Sequence, residues 1–201
     1  MTLTLYGGAR SRASMVRWYL AEKGIPYRWQ LLDLAAGAQK AAPFLAINPF
    51  GKVPALVDES LQGPDGQPLR LAESGAILLH LAEQHGGEFT GEGGALRRSL
   101  SAQWVLYANA TFGPALMAAA GGKAEQLQAQ LEVLDGLLAT GGSLLGGDAA
   151  WGAADCAVEA YLAYLPLFCP QVDLSPYAAV AARVAAVRQR PAYLEAIHPG
   201  A

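Results

Sequence analysis

Apolar and polar positions alternate through TLTLY at the start of the chain and stop at Gly7, the pattern of a short strand with one buried face. SMVRWYLAEKG then changes period. Met15, Val16, Tyr19 and Leu20 share one helical face, with Gly24 as a stop and Pro26 just beyond it. YRWQLLDL returns to a strand pattern, so the opening reads β-α-β, a unit whose crossover is right-handed. KVPALVDE and PLRLAES supply two more strands around the turn signal of LQGPDGQ. ESGAILLHLAEQHGG reads as a helix with a serine near its start and glycines at its end. Residues 1–86 are therefore predicted to form a βαβ-ββα domain.

The glycine-rich GEFTGEGGAL has the composition of a hinge between domains. Beyond it the period stays helical, through LRRSLSAQWVLYANATFGPALMAAA, KAEQLQAQLEVLDGLLAT, AADCAVEAYLAYLPLF and PYAAVAARVAAVRQRP. Residues 95–201 are thus predicted to form an all-α domain. The 201 residues are 53% apolar and 15% charged, enough for a sizeable core and unlike a disordered tail. A net charge of -3 with mixed signs offers no footprint for nucleic acid; the Arg10, Arg12, Arg17 group is either a local anion site or a solvated helix face. Two cysteines, Cys156 and Cys169, are too few for a disulfide scaffold and fit a reducing cytoplasm. Neither an export signal nor a stretch approaching the ~20 apolar residues of a membrane span is expected.

Three short stretches carry chemistry. In YGGARSRAS, a glycine pair leads into a helix whose first turn holds Arg10, Ser11 and Arg12; unpaired N–H groups and the positive end of the helix dipole favour an anion there. In FGKVPAL, Pro54 cannot donate to a ladder, so it opens an edge strand, sits at a bulge or follows a cis bond. Val53 before it is then able to present its main chain to an extended peptide. In AESGAI, Glu73 and Ser74 stand at a helix start, where a hydroxyl with free N–H groups suits a carboxylate and a glutamate suits an ammonium. An ordinary N-cap is the simpler reading of Ser74.

The order LYGGARSRAS, FLAINPFGKVPALVD, LAESGAILLHLAE and a helical half resembles the soluble, bacterial-type glutathione transferases, with a thioredoxin-like first domain, over essentially the whole chain. The resemblance implies a cytoplasmic homodimeric enzyme that binds glutathione as co-substrate and activates its thiol for attack on small apolar electrophiles in detoxification. A glutathione-dependent isomerase or peroxidase, or a non-catalytic interaction module, are the alternatives. It implies that Val53, before a cis Pro54, pairs with the cysteinyl backbone. Glu73 and Ser74 then hold the γ-glutamyl end, with their side chains exposed toward it, and Lys52 and Gln39 reach the glycyl end.

For the thiolate itself three residues stand open in this resemblance. Gap-free matching puts Arg10 where serine-type members have their serine, with Ser11 one residue later, while Tyr6 matches the tyrosine-type position. Neither cysteine lies near that turn, which argues against the cysteine-type members. Trp104, Tyr107 and Phe112, with Met117, form either an apolar wall for the electrophile or part of the core. GAADCAVEAYL resembles the family's capping motif, with Gly152 in place of the usual Ser or Thr and a structural Asp155 retained. His80, His85 and His198 show no metal-ligand spacing and are expected in solvated or core roles, and no metal is expected.

Overall fold

The computed structural model describes residues 2–8, 11–146 and 149–197. Two compact units emerge, one of residues 1–86 joined by the segment from Ala192, the other of residues 87–191.

The first unit is built on β1 (Leu3–Gly7), α1 (Ala13–Glu22), β2 (Arg28–Leu31), the short α2 (Ala42–Leu45), β3 (Ala55–Gln62), β4 (Pro68–Ala72) and α3 (Ser74–Gln84). The strands lie in the order β2-β1-β3-β4, with β1 and β2 parallel and the other two pairings antiparallel. Leu3 and Leu5 of β1, Leu56 of β3, the Met15, Val16, Trp18, Tyr19 and Leu20 face of α1 and Ile77, Leu78 and Leu81 of α3 are all buried. Gly24, at φ +62°, ends α1 in the left-handed conformation that a glycine adopts without steric cost, and the Ile25 N–H closes back on the Leu20 carbonyl at 2.9 Å. This is a thioredoxin-like sheet.

Arg17, on the buried side of α1, is neither an anion site nor part of a solvated face. It is only 8% exposed, donating to the Tyr27 hydroxyl (3.1 Å) and the Ala196 carbonyl (2.9 Å) and lying 4.8 Å above the Trp29 ring. Tyr193 of α9 (Pro191–Ile197) packs edge-on against Trp18 at 5.2 Å.

The second unit contains α4 (Gly94–Tyr107), α5 (Gly113–Ala120), α6 (Glu125–Leu138), α7 (Ala153–Phe168) and α8 (Ala178–Val187). Residues Ala108–Phe112 between α4 and α5 form a π-helical turn. Asn109 bridges it by donating to the Val105 carbonyl (3.0 Å) and accepting from the Tyr161 hydroxyl (3.1 Å). Helix α7 is buried almost all round, as its continuous apolar run requires, and Leu127, Leu131, Leu134 and Leu138 of α6 form a single buried stripe. Asp135 accepts the Ala179 and Val180 N–H groups and so caps α8 from another helix. Glu159 inside α7 is pushed upward in pKa by burial, against the opposing pull of Trp151 and Arg183, the latter at 2.6 Å. Among the described residues no helix is long and apolar enough to cross a membrane.

Candidate active site

The sheet register gathers the chemistry of the first unit at one end. Tyr6 pairs with Ala55, and Ala55 pairs with Ala72. The end of β1 leading to Ser11, the Val53-Pro54 step entering β3 and the Glu73-Ser74 step leaving β4 are therefore neighbours, although they lie far apart in the chain.

The Val53-Pro54 bond is cis. Asn48, which the sequence reading passed over, shapes the approach to it: its side chain donates to the Lys52 carbonyl (2.7 Å) and accepts the Phe50 N–H (3.2 Å), and its own carbonyl accepts the Gly51 N–H (2.9 Å). Asn-Pro in INPFGKVPAL was the available signal, because an asparagine side chain readily closes turns on nearby backbone. Among the described residues no hydrogen bond engages the Val53 main chain. Lys52 is exposed. Gln39 places a buried Oε1 with no partner, and the adjacent Lys40 ammonium reaches the Phe50 carbonyl at 3.3 Å.

Glu73 is exposed at φ +68°, the one described non-glycine residue with positive φ. Such a conformation costs on the order of 1–3 kcal/mol and survives where the surroundings impose it, as at ligand sites. Ser74 departs from expectation. It is only 1% exposed and is the first residue of α3, with Glu73 in the cap position, so its side chain turns into the fold while that of Glu73 faces out.

Ser11 is half-buried before α1; its hydroxyl donates to the Gly8 carbonyl (2.8 Å) and accepts the Ala13 N–H (3.3 Å). It serves as a local clasp on the helix start. Arg10 lies outside the described residues, and Arg12 is exposed. Tyr6 is half-buried with its ring 6.0 Å from Phe44.

In the second unit Trp104 and Tyr107 are half-buried and meet edge-on at 5.6 Å. The Tyr107 hydroxyl donates to Gln130 (3.0 Å), and burial pushes its pKa up to about 12, which leaves it neutral over the ordinary pH range. Phe112 is fully buried and stacks on Tyr107 at 6.2 Å, so it belongs to the core rather than to a wall open to substrate; Met117 is 57% exposed.

Two of the histidines meet on one carboxylate. His80 in α3 and His85 at its end both place Nε2 on the same Asp58 oxygen, Oδ2, at 2.9 and 2.7 Å. Five residues apart in sequence, they show none of the close helical spacings that mark ligand pairs; the end of the helix at His85 brings them together. Ser60 supplies its N–H (2.9 Å) and hydroxyl (2.5 Å) to the other oxygen, Oδ1. Burial alone would raise the Asp58 pKa, but these bonds from Ser60, His85 and His80 outweigh it and hold the carboxyl well below the usual range. His198 lies outside the described residues.

At the start of α7, Asp155 accepts from the Gly152 N–H (3.0 Å), the Ser143 hydroxyl (2.8 Å) and the Leu144 N–H (2.7 Å). Gly152 has no side chain to accept a backbone N–H at this helix start, and the Glu88 carboxylate accepts one instead, the Ala153 N–H at 3.1 Å.

A thioredoxin-like sheet with a cis-proline loop facing a helix start, followed by a helical unit, defines the class of fold seen in glutathione transferases. Residues 1–83 match the glutathione S-transferase N-terminal domain family. Over 192 residues the chain is 30% identical to the glutathione S-transferase-like protein OpS6 of Beauveria bassiana, covering 86% of this chain and 84% of that protein. The chain belongs to the glutathione S-transferase family. It is also 37% identical over 114 residues to the disulfide-bond oxidoreductase YfcG of Escherichia coli, covering 57% of this chain. The chain spans about half the length of that relative, 52%. A glutathione transferase family member from Pseudomonas fluorescens, solved with two glutathione bound, superposes with a TM-score of 0.82 at 26% identity, over 98% of this chain and 92% of that one. The glutathione transferase of Pseudomonas putida, solved with one glutathione disulfide per subunit, gives 0.82 at 25% identity, over 100% and 92%.

Proposed function

We propose that the protein is a glutathione transferase of bacterial type that binds glutathione on the first unit and directs its thiolate onto an electrophilic carbon. The observation that carries this reading is the register Tyr6–Ala55–Ala72, which brings the α1 turn, the Val53 main chain and Glu73 to one end of the sheet. An extended tripeptide pairs with Val53 as an added strand, its ammonium meets the Glu73 carboxylate, and its carboxylates meet the α3 N-terminus beside Ser74 and the Gln39 and Lys52 side chains. The buried, unpartnered amide oxygen of Gln39 gains a donor from the peptide main chain.

The thiol proton leaves to solvent and the thiolate is held by the α1 N-terminus. Ser11 acts as donor once its proton turns from the Gly8 carbonyl, and Arg10 as the charge partner; Tyr6 is the alternative donor. An apolar electrophile is assigned to Trp104 and Tyr107. The carbon–sulfur bond forms as the electrophile's leaving group departs with its electron pair. We place the enzyme in the cytoplasm as a homodimer, an assembly supported by exposed apolar side chains such as Phe50 (74%), Leu96 (63%) and Leu106 (63%).

The match to a disulfide-bond oxidoreductase favours a second reading on the same site, in which two glutathione molecules reduce a disulfide to two thiols and leave as glutathione disulfide. The cysteines of this chain are buried in the second unit, so bound glutathione supplies the reacting sulfur.

The test is retention on immobilised glutathione, then turnover with an aromatic halide and with a small disulfide coupled to glutathione reductase. Binding without either turnover overturns the enzyme reading in favour of an interaction module. Titration of the bound thiolate absorbance in Ser11→Ala, Arg10→Ala and Tyr6→Phe assigns the activating residue. A raised thiol pKa in Tyr6→Phe alone removes Ser11 and Arg10 from that role.

A further inference from the structure

We propose that Asp58, His80 and His85 form a binding site for a divalent transition ion of the zinc class, on the first unit and independent of the glutathione reading. The donor set is two imidazoles and one carboxylate, a combination that zinc and its neighbours in the first transition row accept. Asp58 Oδ2 lies 2.9 Å from Nε2 of His80 and 2.7 Å from Nε2 of His85, and the three ligand atoms lie within 4.8 Å of one another. Metal–ligand bonds of about 2.0–2.1 Å in a tetrahedral shell set ligand–ligand edges near ~3.3 Å. Around a captured ion the two oxygen–nitrogen edges open by about half an ångström, while the edge between the two imidazole nitrogens, which lies within 4.8 Å, closes toward the same length.

Two further features fit a metal rather than a clasp alone. The oxygen that does not face the imidazoles, Oδ1, is held by the Ser60 N–H and hydroxyl, the kind of outer bond that orients a ligating carboxylate. The imidazoles retain 11% and 18% exposure, so an ion has a path in and a water completes the shell.

Binding requires no redox partner. A proton on either Nε2 is given up to solvent or relocated to Nδ1, which frees the Nε2 lone pair for the ion. The two N–H···O bonds to Asp58 are exchanged for two N–metal bonds and one O–metal bond.

The experiment uses the full chain, prepared without a polyhistidine tag and stripped with a chelator, titrated with zinc against a chromophoric chelator. One ion per chain is expected. His80→Gln and His85→Gln, which keep an N–H donor for Asp58 but remove the imidazole, each weaken binding at least about tenfold, and Ser60→Ala weakens it by about tenfold through the carboxylate alone. In the unmodified protein zinc, and not magnesium, is expected to protect His80 and His85 from carbethoxylation mapped by mass spectrometry. That measurement stands even if a variant fails to fold. Absence of stoichiometric uptake, equal zinc affinity in the His80→Gln/His85→Gln double variant, or equal reactivity of both histidines with and without zinc would each overturn the proposal and leave a hydrogen-bonded clasp.

Discussion

The Glu88 carboxylate accepts the Ala153 N–H at 3.1 Å across a separation of 65 residues, and it does so in the space that a side chain on Gly152 would fill. A Cβ built on Gly152 would sit close against the Glu88 carboxyl, 2.8 Å from its Cδ. The capping role and the missing side chain are two halves of one arrangement: glycine at the cap makes room, and a distant glutamate replaces the hydroxyl. Glu88→Ala is expected to destabilise the fold by about 1 kcal/mol, the usual worth of an N-cap. Gly152→Ser in that background restores a local cap and recovers most of the loss, whereas in the parent it displaces Glu88 and brings no comparable gain. Urea unfolding of the four-member cycle checks this; additive effects would disprove the exchange.

Glu73 combines an exposed carboxylate with a positive φ, so binding and stability should separate at this residue. Glu73→Ala and Glu73→Gly are both expected to weaken glutathione binding by about one to two decades, the worth of a charge-assisted hydrogen bond. Glu73→Gly also relieves the backbone and should unfold at a higher temperature than Glu73→Ala. Calorimetry of binding and of thermal unfolding reads both. Ser74→Ala, at a buried residue, is expected to lower stability as well as affinity.

Arg17 spends its guanidinium on Tyr27, Ala196 and the face of Trp29. Arg17→Met keeps much of the apolar stem and loses the bonds, and is expected to cost about 2–3 kcal/mol in urea unfolding, from bonds to a charged group plus a cation–π contact. Glutathione affinity of the folded variant should stay within about twofold of the parent. A tenfold loss of affinity with unchanged stability would return Arg17 to the anion site.

Asp58 titrates in the folded protein below its ordinary value of about 3.9. The unfolded chain therefore binds the proton more readily, and the stabilisation is complete above about pH 4 and lost as the pH falls through the folded value. Asp58→Asn should flatten the acid side of a plot of unfolding free energy against pH between roughly 4 and 2 while lowering stability at neutrality. An unchanged acid slope in the variant would show that other carboxyls set it.

Sequence periodicity by itself determined the four strands and the two longer helices of the first unit, though not the short α2, and the helical character of the second, because strand alternation, helical stripes and glycine or proline stops act over a few residues. The residues of INPFGKVPAL also singled out the Val53-Pro54 step, open between an edge strand, a bulge and a cis bond, while the positive φ of Glu73 in AESGAI had no local announcement. Where a side chain goes after the elements pack was decided only by tertiary structure. Arg17 looked like a surface charge in its own helix and became buried because Tyr27, Trp29 and, 179 residues away, the Ala196 carbonyl surround it. Ser74 turned inward as the first residue of the helix, because Glu73, at positive φ, takes the cap position that the sequence suggested for the serine. His80 and His85 acquired a shared hydrogen-bond partner from a strand 22 and 27 residues earlier, and the helix start at Gly152 acquired its cap from Glu88. Contacts of this reach depend on the register between elements. No local pattern encodes that register, because the loss of chain entropy on closing such loops is recovered only when the whole unit packs.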